Sequence, residues 1–445
     1  PGRRGGLAGG RAGLRGREGV RATFSGIELL KRALAAQQRS LDVVGHNIAN
    51  ANAPGYSRQV AVQQATRPHT LPGFNRPVSP GQVGTGVTVA EIRQLRDEFI
   101  ELQLRSESQL MGRWEARADT LGKLELIWLE PGDLGLRESL DRFWQALEDL
   151  HLRPDQEATR AVVRQQALAL AETFRHLDRQ MDDLRADLDR WVRVEVDRVN
   201  LLVREIADLN GQIARVVAAG DQPNDLRDRR EVLVRELATL INVEVFPDAQ
   251  GMLRINAAGM NLVEKDRSQQ LGVTTAGQVV WRGAGGEEVP VRITAGRLAG
   301  ILEGRDELVP FYRGKLDQLA AALIGRVNEV HRQGYDLDGA QGGDFFTGTG
   351  AGDIDVAGAI RANLRKIAAA GSPQGVPGDG SNALALARIK HEVPLKVGGN
   401  PVLGGAGLMD FLSATVASLG VDARKAENTV ASQQVMLEHL QTRRQ

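Results

Sequence analysis

Residues able to do chemistry are few in this chain, and their spacing points away from a reaction. The stretch DLDGAQGGD at 336–344 sets Asp336, Asp338 and Asp344 close together, a carboxylate run of the kind that wraps calcium. An EF-hand loop needs Gly at its sixth position and Glu at its twelfth, where this chain has Gln341 and Thr347. The seven histidines (46, 69, 151, 176, 331, 391 and 439) are scattered and form no H-E-x-x-H pair. The glycine pairs at 84–86 and 348–352 stand in no strand-to-helix phosphate context and read as turns, and Ser57 is not in G-x-S-x-G. With no Cys in the chain, thiolate ligands, Cys nucleophiles and disulfides are all excluded. No nucleophile, base and orienting group come together, so the sequence predicts no enzyme: no catalytic, cofactor-binding or metal-binding residue, and no cofactor.

Composition narrows the partners in the same direction. Lys plus Arg and Asp plus Glu are both 56, so there is no net charge to attract nucleic acid or an acidic membrane surface. No window approaches the 18 or so uncharged apolar residues of a spanning helix, so no membrane insertion is expected. A length of 445 residues exceeds what one core usually serves and predicts two or three domains. Residues 1–22 are basic and lack the apolar run of a secretory signal; they are expected to form a disordered leader.

What the sequence does specify is helices. From Thr23 onward, Ile27, Leu30, Leu34, Gln37, Leu41, Val44 and Ile48 recur at alternating intervals of three and four, the pattern of a coiled-coil seam. Thr23 or Ser25 can cap its start, and Asn47, Asn50 and Asn52 tolerate the left-handed backbone that ends a helix. Pro54 forbids helix at Ala53, and Pro54-Gly55 suits the middle of a type II turn before Tyr56. The chain is thus expected to stop hard and reverse there.

Further helical blocks follow. One carries Leu95, Phe99, Leu102, Leu110, Trp114, Leu121 and Leu124 and ends at Pro131-Gly132. A second holds Leu140, Phe143, Trp144 and Leu147. The longest is expected from Asp155 to about Ala219, with Leu170, Phe174, Leu177, Met181, Leu184, Leu188 and Trp191 on one stripe and a slip in register across 192–201. Short β-branched runs such as VEVF, QVVW and VPVRI predict antiparallel strands at 242–295, after which Leu298 to Val327 return to helix. The expected fold is mainly α: an elongated helical bundle with long coiled-coil-like helices and an inserted small β-rich domain. Its boundaries are a leader at 1–22, the seam helix and connector at 23–91, the bundle at 92–241, the β-rich insert at 242–295, and the bundle's second part at 296–445. That second part includes a Gly-rich mixed segment at 335–404.

The stretch SGIELLKRALAAQQRSLDVVGHNIANANAPGYSRQ resembles the N-terminal signature of bacterial flagellar axial proteins, the rod, hook and hook-associated family, whose hallmark reads N-I-A-N-x-N-T-P-G-Y. Ala53 stands where that hallmark has Thr. The continuation Gly55-Tyr56-Ser57-Arg58-Gln59 is similar to the hook-associated members. So are VGTGVTV at 83–89, PNDLRDRREVLVRELATLINVEV at 223–245, VNEVHRQGYDLDGAQGGDFF at 327–346 and PGDGSNALALA at 377–387.

That resemblance implies a structural subunit of the bacterial flagellum, exported without signal cleavage and assembled outside the cell at the junction between hook and filament. It implies an assembly seam of Ile27, Leu30, Leu34, Leu41, Val44 and Ile48, closed by a motif turn of Asn47, Asn50, Asn52, Pro54, Gly55 and Tyr56. The implied partners are further copies in a ring, the hook protein, a second hook-associated junction protein and a flagellar export chaperone. Family members carry a further C-terminal helix after the stretch matching 405–440, so this seam is expected to lack that partner and chaperone binding to suffer. A hook or distal-rod protein and a cytosolic coiled-coil scaffold are the alternatives.

Overall fold

The computed structural model describes residues 24–68, 84–128, 135–283 and 285–444; the leader expected at 1–22, Thr23 and the Pro131-Gly132 helix end lie outside the described residues. The chain is mainly helical with small antiparallel sheets and divides into two compact units. One comprises residues up to Asp97 together with 212–232, and the other 98–211 together with 233–444.

In the smaller unit, helix α1 (Ser25–Asn50) is followed by an antiparallel hairpin of β1 (Gln59–Ala65) and β2 (Val87–Gln94), with a bulge between Val62 and Gln63. α1 lies on this hairpin through small and polar side chains, burying Ala36 and Val43. Gln63 Nε2 donates to Ser40 Oγ at 3.1 Å, beside them. Gly86 passes close to Arg32 at φ 115°, a backbone conformation that excludes most other residues.

The larger unit is built on α2 (Glu98–Trp128), α3 (Leu136–Leu152), most of α4 (Glu157–Ala218) and the second half of α5 (Asn224–Leu240). At 1.5 Å per residue the 62 residues of α4 run for about 93 Å. Its buried stripe passes through Val163, Leu170, Phe174, Leu177, Met181, Leu184 and Leu188, and continues through Val192, Val196 and Val199. The run of fours at Leu184–Leu188–Val192–Val196 makes up for the lag of the alternating threes and fours before it, so the average step stays near the 3.6 residues per turn of a straight helix and the stripe continues. Trp191, expected on that stripe, is instead 45% exposed.

α2 departs from expectation for a different reason. Leu95, just before it, and Phe99, Leu102 and Leu110 along its first half are exposed, while Leu104, Ala116, Leu121 and Leu124 are buried. The face is chosen by small residues: a Cβ on Gly112 would collide with Thr239 O, and one on Gly300 with Arg113 O. Backbones approach there too closely for the larger side chains of the opposite stripe.

Strands β3 (Glu244–Pro247), β4 (Leu253–Ala257), β5 (Met260–Glu264) and β6 (Arg267–Ser268) form one sheet in that order. A second holds β7 (Gln270–Val273), β8 (Val279–Arg282) and β9 (Glu288–Pro290). These strands share one unit with the helices and are stitched to α4 by two buried asparagines. Asn200 donates to Leu271 O at 2.9 Å and accepts from Leu271 N–H at 2.8 Å. Asn210 treats Leu253 the same way, at 2.7 and 3.1 Å.

The helix expected from Ala295 onward is divided into α6 (Arg297–Glu303), a π-helical turn (Gly304–Leu308) and α7 (Val309–His331). Pro310, at the start of α7, cannot donate a ladder hydrogen bond, and the wider turn before it absorbs the shift. The Gly-rich segment follows with β10 (Phe346–Thr347), β11 (Asp355–Val356), α8 (Gly358–Ala362), α9 (Ser381–Arg388), β12 (Lys396–Val397) and β13 (Asn400–Pro401). Its Phe345 and Phe346 are fully buried against Phe143 of α3, with ring centroids 5.8 and 5.7 Å away. Last, α10 (Leu408–Arg444) packs along α2, burying Leu412, Leu419, Ala423, Ala426 and Leu440, and Arg444 pairs with Glu101.

Candidate functional site: an exposed helix seam and its polar turn

α1 is amphipathic with its faces inverted. Ala36 and Val43 are 4% and 7% exposed, whereas Ile27, Leu30, Leu34, Leu41, Val44 and Ile48 are 62%, 67%, 71%, 70%, 50% and 73% exposed. The hairpin therefore covers the small side chains and leaves the large apolar ones in water. A contiguous apolar stripe of this kind marks a surface that another chain or segment covers. Each such side chain, once buried, contributes about 1.5–3 kcal/mol.

The end of α1 is a lock rather than a loose terminus. Tyr56 N–H donates to Ala53 O at 3.1 Å and Gly55 has φ 81°, the geometry of a type II turn around Pro54-Gly55. The Asn47 side-chain amide then takes the place of a neighbouring strand: its Nδ2 donates to Gln59 O at 2.8 Å and its Oδ1 accepts from Gln59 N–H at 2.9 Å. Oδ1 also accepts from the Tyr56 hydroxyl at 2.7 Å, and that hydroxyl lies 2.9 Å from His46 Nδ1, a donor to it in the tautomer this geometry requires. Burial, followed by the charges of Asp228 and Asp225, pushes the Tyr56 hydroxyl above its ordinary pKa, so it stays a donor at neutral pH. Asn50 bonds back to His46 O within the helix at 3.0 Å, and Asn52 and Pro54 are exposed.

Residues outside the expected set complete the lock. Ser57 N–H donates to Asp228 Oδ2 at 3.2 Å, and Arg96 reaches Ser57 Oγ at 3.0 Å and Asp228 Oδ1 at 2.6 Å. Gln59 Nε2 donates to Asp225 Oδ1 at 3.2 Å, and Asn224 Nδ2 donates to Ile92 O at 2.8 Å. The signatures GYSRQ and PNDLRD, more than 160 residues apart, are two halves of one polar junction. Their separation hides this from a sequence reading, although both stretches stand out as matches.

The acidic loop at 336–344 is closed by protein cations. Asp336 Oδ1 accepts from the backbone N–H groups of Asp338 and Ala340 at 2.8 and 2.9 Å. Lys366 Nζ bridges Asp336 and Asp338 at 2.9 and 3.0 Å, and Arg365 holds Asp338 at 2.7 Å. Among the described residues no group of three or more His, Cys, Asp or Glu is placed to hold a metal. Beside the loop, the buried His331 ring donates through Nδ1 to Gly343 O at 2.7 Å and accepts at Nε2 from Ala368 N–H at 2.9 Å. Burial pushes its pKa down to about 4, so the ring is a neutral strut.

Comparison with known proteins meets both regions. The family model of the flagellar hook-associated protein FlgK helical domain matches residues 121–346, and that of the flagella basal body rod protein matches residues 27–56. The chain is 28% identical to flagellar hook-associated protein 1 of Bacillus subtilis, over 95% of this chain and 90% of that protein. It is 31% identical to flagellar hook-associated protein 1 of Salmonella typhimurium, over 71% of this chain but only 58% of the relative's length. The fold is similar to that of the flagellar hook junction protein FlgK from Burkholderia pseudomallei, with a TM-score of 0.66 at 15% identity, covering 76% of this chain and 98% of that one.

Proposed function

The chain belongs to the flagellar hook-associated protein FlgK family, and from that premise we propose that it is a structural subunit of the bacterial flagellum at the junction of hook and filament. Its relatives are structural proteins of the flagellum, an extracellular organelle, and among the described residues no helix is long and apolar enough to cross a membrane. We propose further that the seam of Ile27, Leu30, Leu34, Leu41, Val44 and Ile48 is the assembly surface. The observation that carries this reading is α1's inversion, with its large apolar residues in water and its small ones covered, in the stretch similar to the rod-protein family. On this reading the locked turn with Asn47 and Tyr56 fixes the direction in which the chain leaves the seam helix. Further copies in a ring, the hook protein, a second hook-associated protein and an export chaperone are the partners proposed for it.

The test is the full chain carrying Leu34→Asp and Leu41→Asp. Both side chains are exposed, so the helical circular dichroism spectrum and thermal midpoint should match the parent. In the seam, two buried carboxylates would cost several kcal/mol each, and incorporation at the hook–filament junction should be lost. Wild-type incorporation of this double variant would sink the proposal.

A further inference from the structure

In the smaller unit a strand edge stands open beside two arginines. Thr66 N–H donates to Gly86 O at 3.0 Å, so on β2 and just before it the residues facing β1 are Gly86 and, two further on, Thr88. Val87 and Val89 turn their N–H and C=O groups outward, where these make no hydrogen bond to another described residue. At the other end of the hairpin both edges are closed by side-chain amides. Asn224 Nδ2 donates to Ile92 O of β2 at 2.8 Å, and Asn47 occupies β1 at Gln59. Between the open stretch and α1 lies a cleft of about 500 Å³, lined by Arg32, Ala36 and Arg39 together with Val87 and Val89. Arg39 has no ion pair among the described residues. Arg32 has a loose, exposed one, 3.6 Å from Glu28, and a 3.4 Å hydrogen bond to Thr85 O.

We propose that this cleft docks an extended acidic segment of a partner protein, which adds to residues 87–89 as a third strand and sets alternate carboxylates against Arg32 and Arg39. Unpaired N–H and C=O groups along a β-branched edge are a template for another strand, and folded proteins usually cover or blunt such an edge. The two guanidinium groups then select the side chains, attracting an acidic strand and repelling a basic one. About 10 Å of helix separates Arg32 from Arg39, within reach of carboxylates two residues apart on a strand, about 7 Å from one another. A free anion would satisfy the arginines and leave the backbone edge unpaired, so a strand is the occupant that uses both features. The site includes no residue of the apolar seam and does not depend on the role proposed for it.

The test uses the full chain and a capped peptide, Gly-Glu-Val-Glu-Val-Glu-Gly, with a counterpart in which every Glu is Lys. At low salt the acidic peptide should bind at least about tenfold more tightly than the basic one. On binding it should slow amide exchange at Val87 and Val89, while Thr88, which faces β1, exchanges as before. Arg32→Glu together with Arg39→Glu changes two exposed side chains, so the circular dichroism spectrum should match the parent and the preference between the two peptides should reverse. No saturable binding at up to about 1 mM acidic peptide would overturn the proposal. Binding that leaves Val87 and Val89 unprotected would overturn it too, since that is charge attraction without a strand. So would an unchanged preference in the double variant.

Discussion

α1 and α4 carry the same signal and meet opposite fates. Both repeat large apolar residues at intervals of three and four, yet α4 buries Leu170, Phe174, Leu177 and Met181 completely or nearly so, and α1 leaves Leu30, Leu34 and Leu41 about two-thirds exposed. Periodicity therefore shows that a face needs a partner without showing that the partner lies in the same chain. What separates the two helices is where the small residues lie. On α4, Ala167 and Ala171 are buried together with the stripe, whereas on α1 Ala36, Ser40 and Val43 make a second face on which a hairpin sits, leaving the stripe free.

The largest expected effect breaks the comparison at its buried end. Phe174→Ala empties a site that is 0% exposed in the core of the larger unit, and such truncations cost about 3–5 kcal/mol. Leu34→Ala, with 71% of its side chain already in water, should change stability by less than about 0.5 kcal/mol. Urea titration of both variants gives the two numbers side by side. Equal losses would mean that α1 is packed in the free chain after all.

A second expectation concerns pH and belongs to the larger unit. His331 is held neutral with a pKa of about 4, while in the unfolded chain it takes up a proton near 6.5. Its contribution is complete above pH 6.5 and is lost as pH falls from there toward 4, because only the unfolded chain binds the proton in that window. Between pH 6.5 and about pH 5 the loss should be roughly 2 kcal/mol. An NMR titration of the ring should find it neutral at pH 5, and stability in urea should fall over the same interval less steeply in His331→Gln. A ring that titrates near 6.5 in the folded protein would refute the assignment.

How far the sequence was legible follows from which forces leave a pattern. The helices, the strand-rich segment after residue 242 and the turn at Pro54-Gly55 were readable, because apolar spacing and backbone restriction are local. Trp191 and the stripe of Leu95, Phe99 and Leu102 were misplaced for one physical reason. A large apolar residue looks like core wherever it stands, while the true contact at Gly112 and Gly300 is made by residues that carry no hydrophobic signal. The six seam residues were legible as a stripe, and their exposure was expected through the resemblance rather than from the stripe itself, since burial depends on the neighbours that a face meets. Least legible were the polar splints. Asn47, Asn200, Asn210 and Asn328 each pair a side-chain amide with the N–H and C=O of an extended segment, a contact set by tertiary position alone.

The smallest expected effect sharpens the comparison at the exposed end, because the smaller unit is held by such a splint where the larger one is held by a core. Asn47→Ala removes three hydrogen bonds at once, two to Gln59 and one from Tyr56, and leaves the Gln59 N–H without its acceptor. With Asn47 half-buried, the loss should be about 1–2 kcal/mol of local stability. Asn47→Asp keeps the acceptor for Gln59 N–H and the Tyr56 hydroxyl but loses the donor to Gln59 O, so its effect should fall between Asn47→Ala and the parent. Amide hydrogen exchange at Gln59 reads this directly. Its protection should drop in the order parent, Asp, Ala, while amides around Phe174 in α4 exchange as before, since they answer to a different set of contacts. If protection around Phe174 falls together with that of Gln59, the turn and the core open as one cooperative block, and the contrast between a splinted turn and a packed core does not hold.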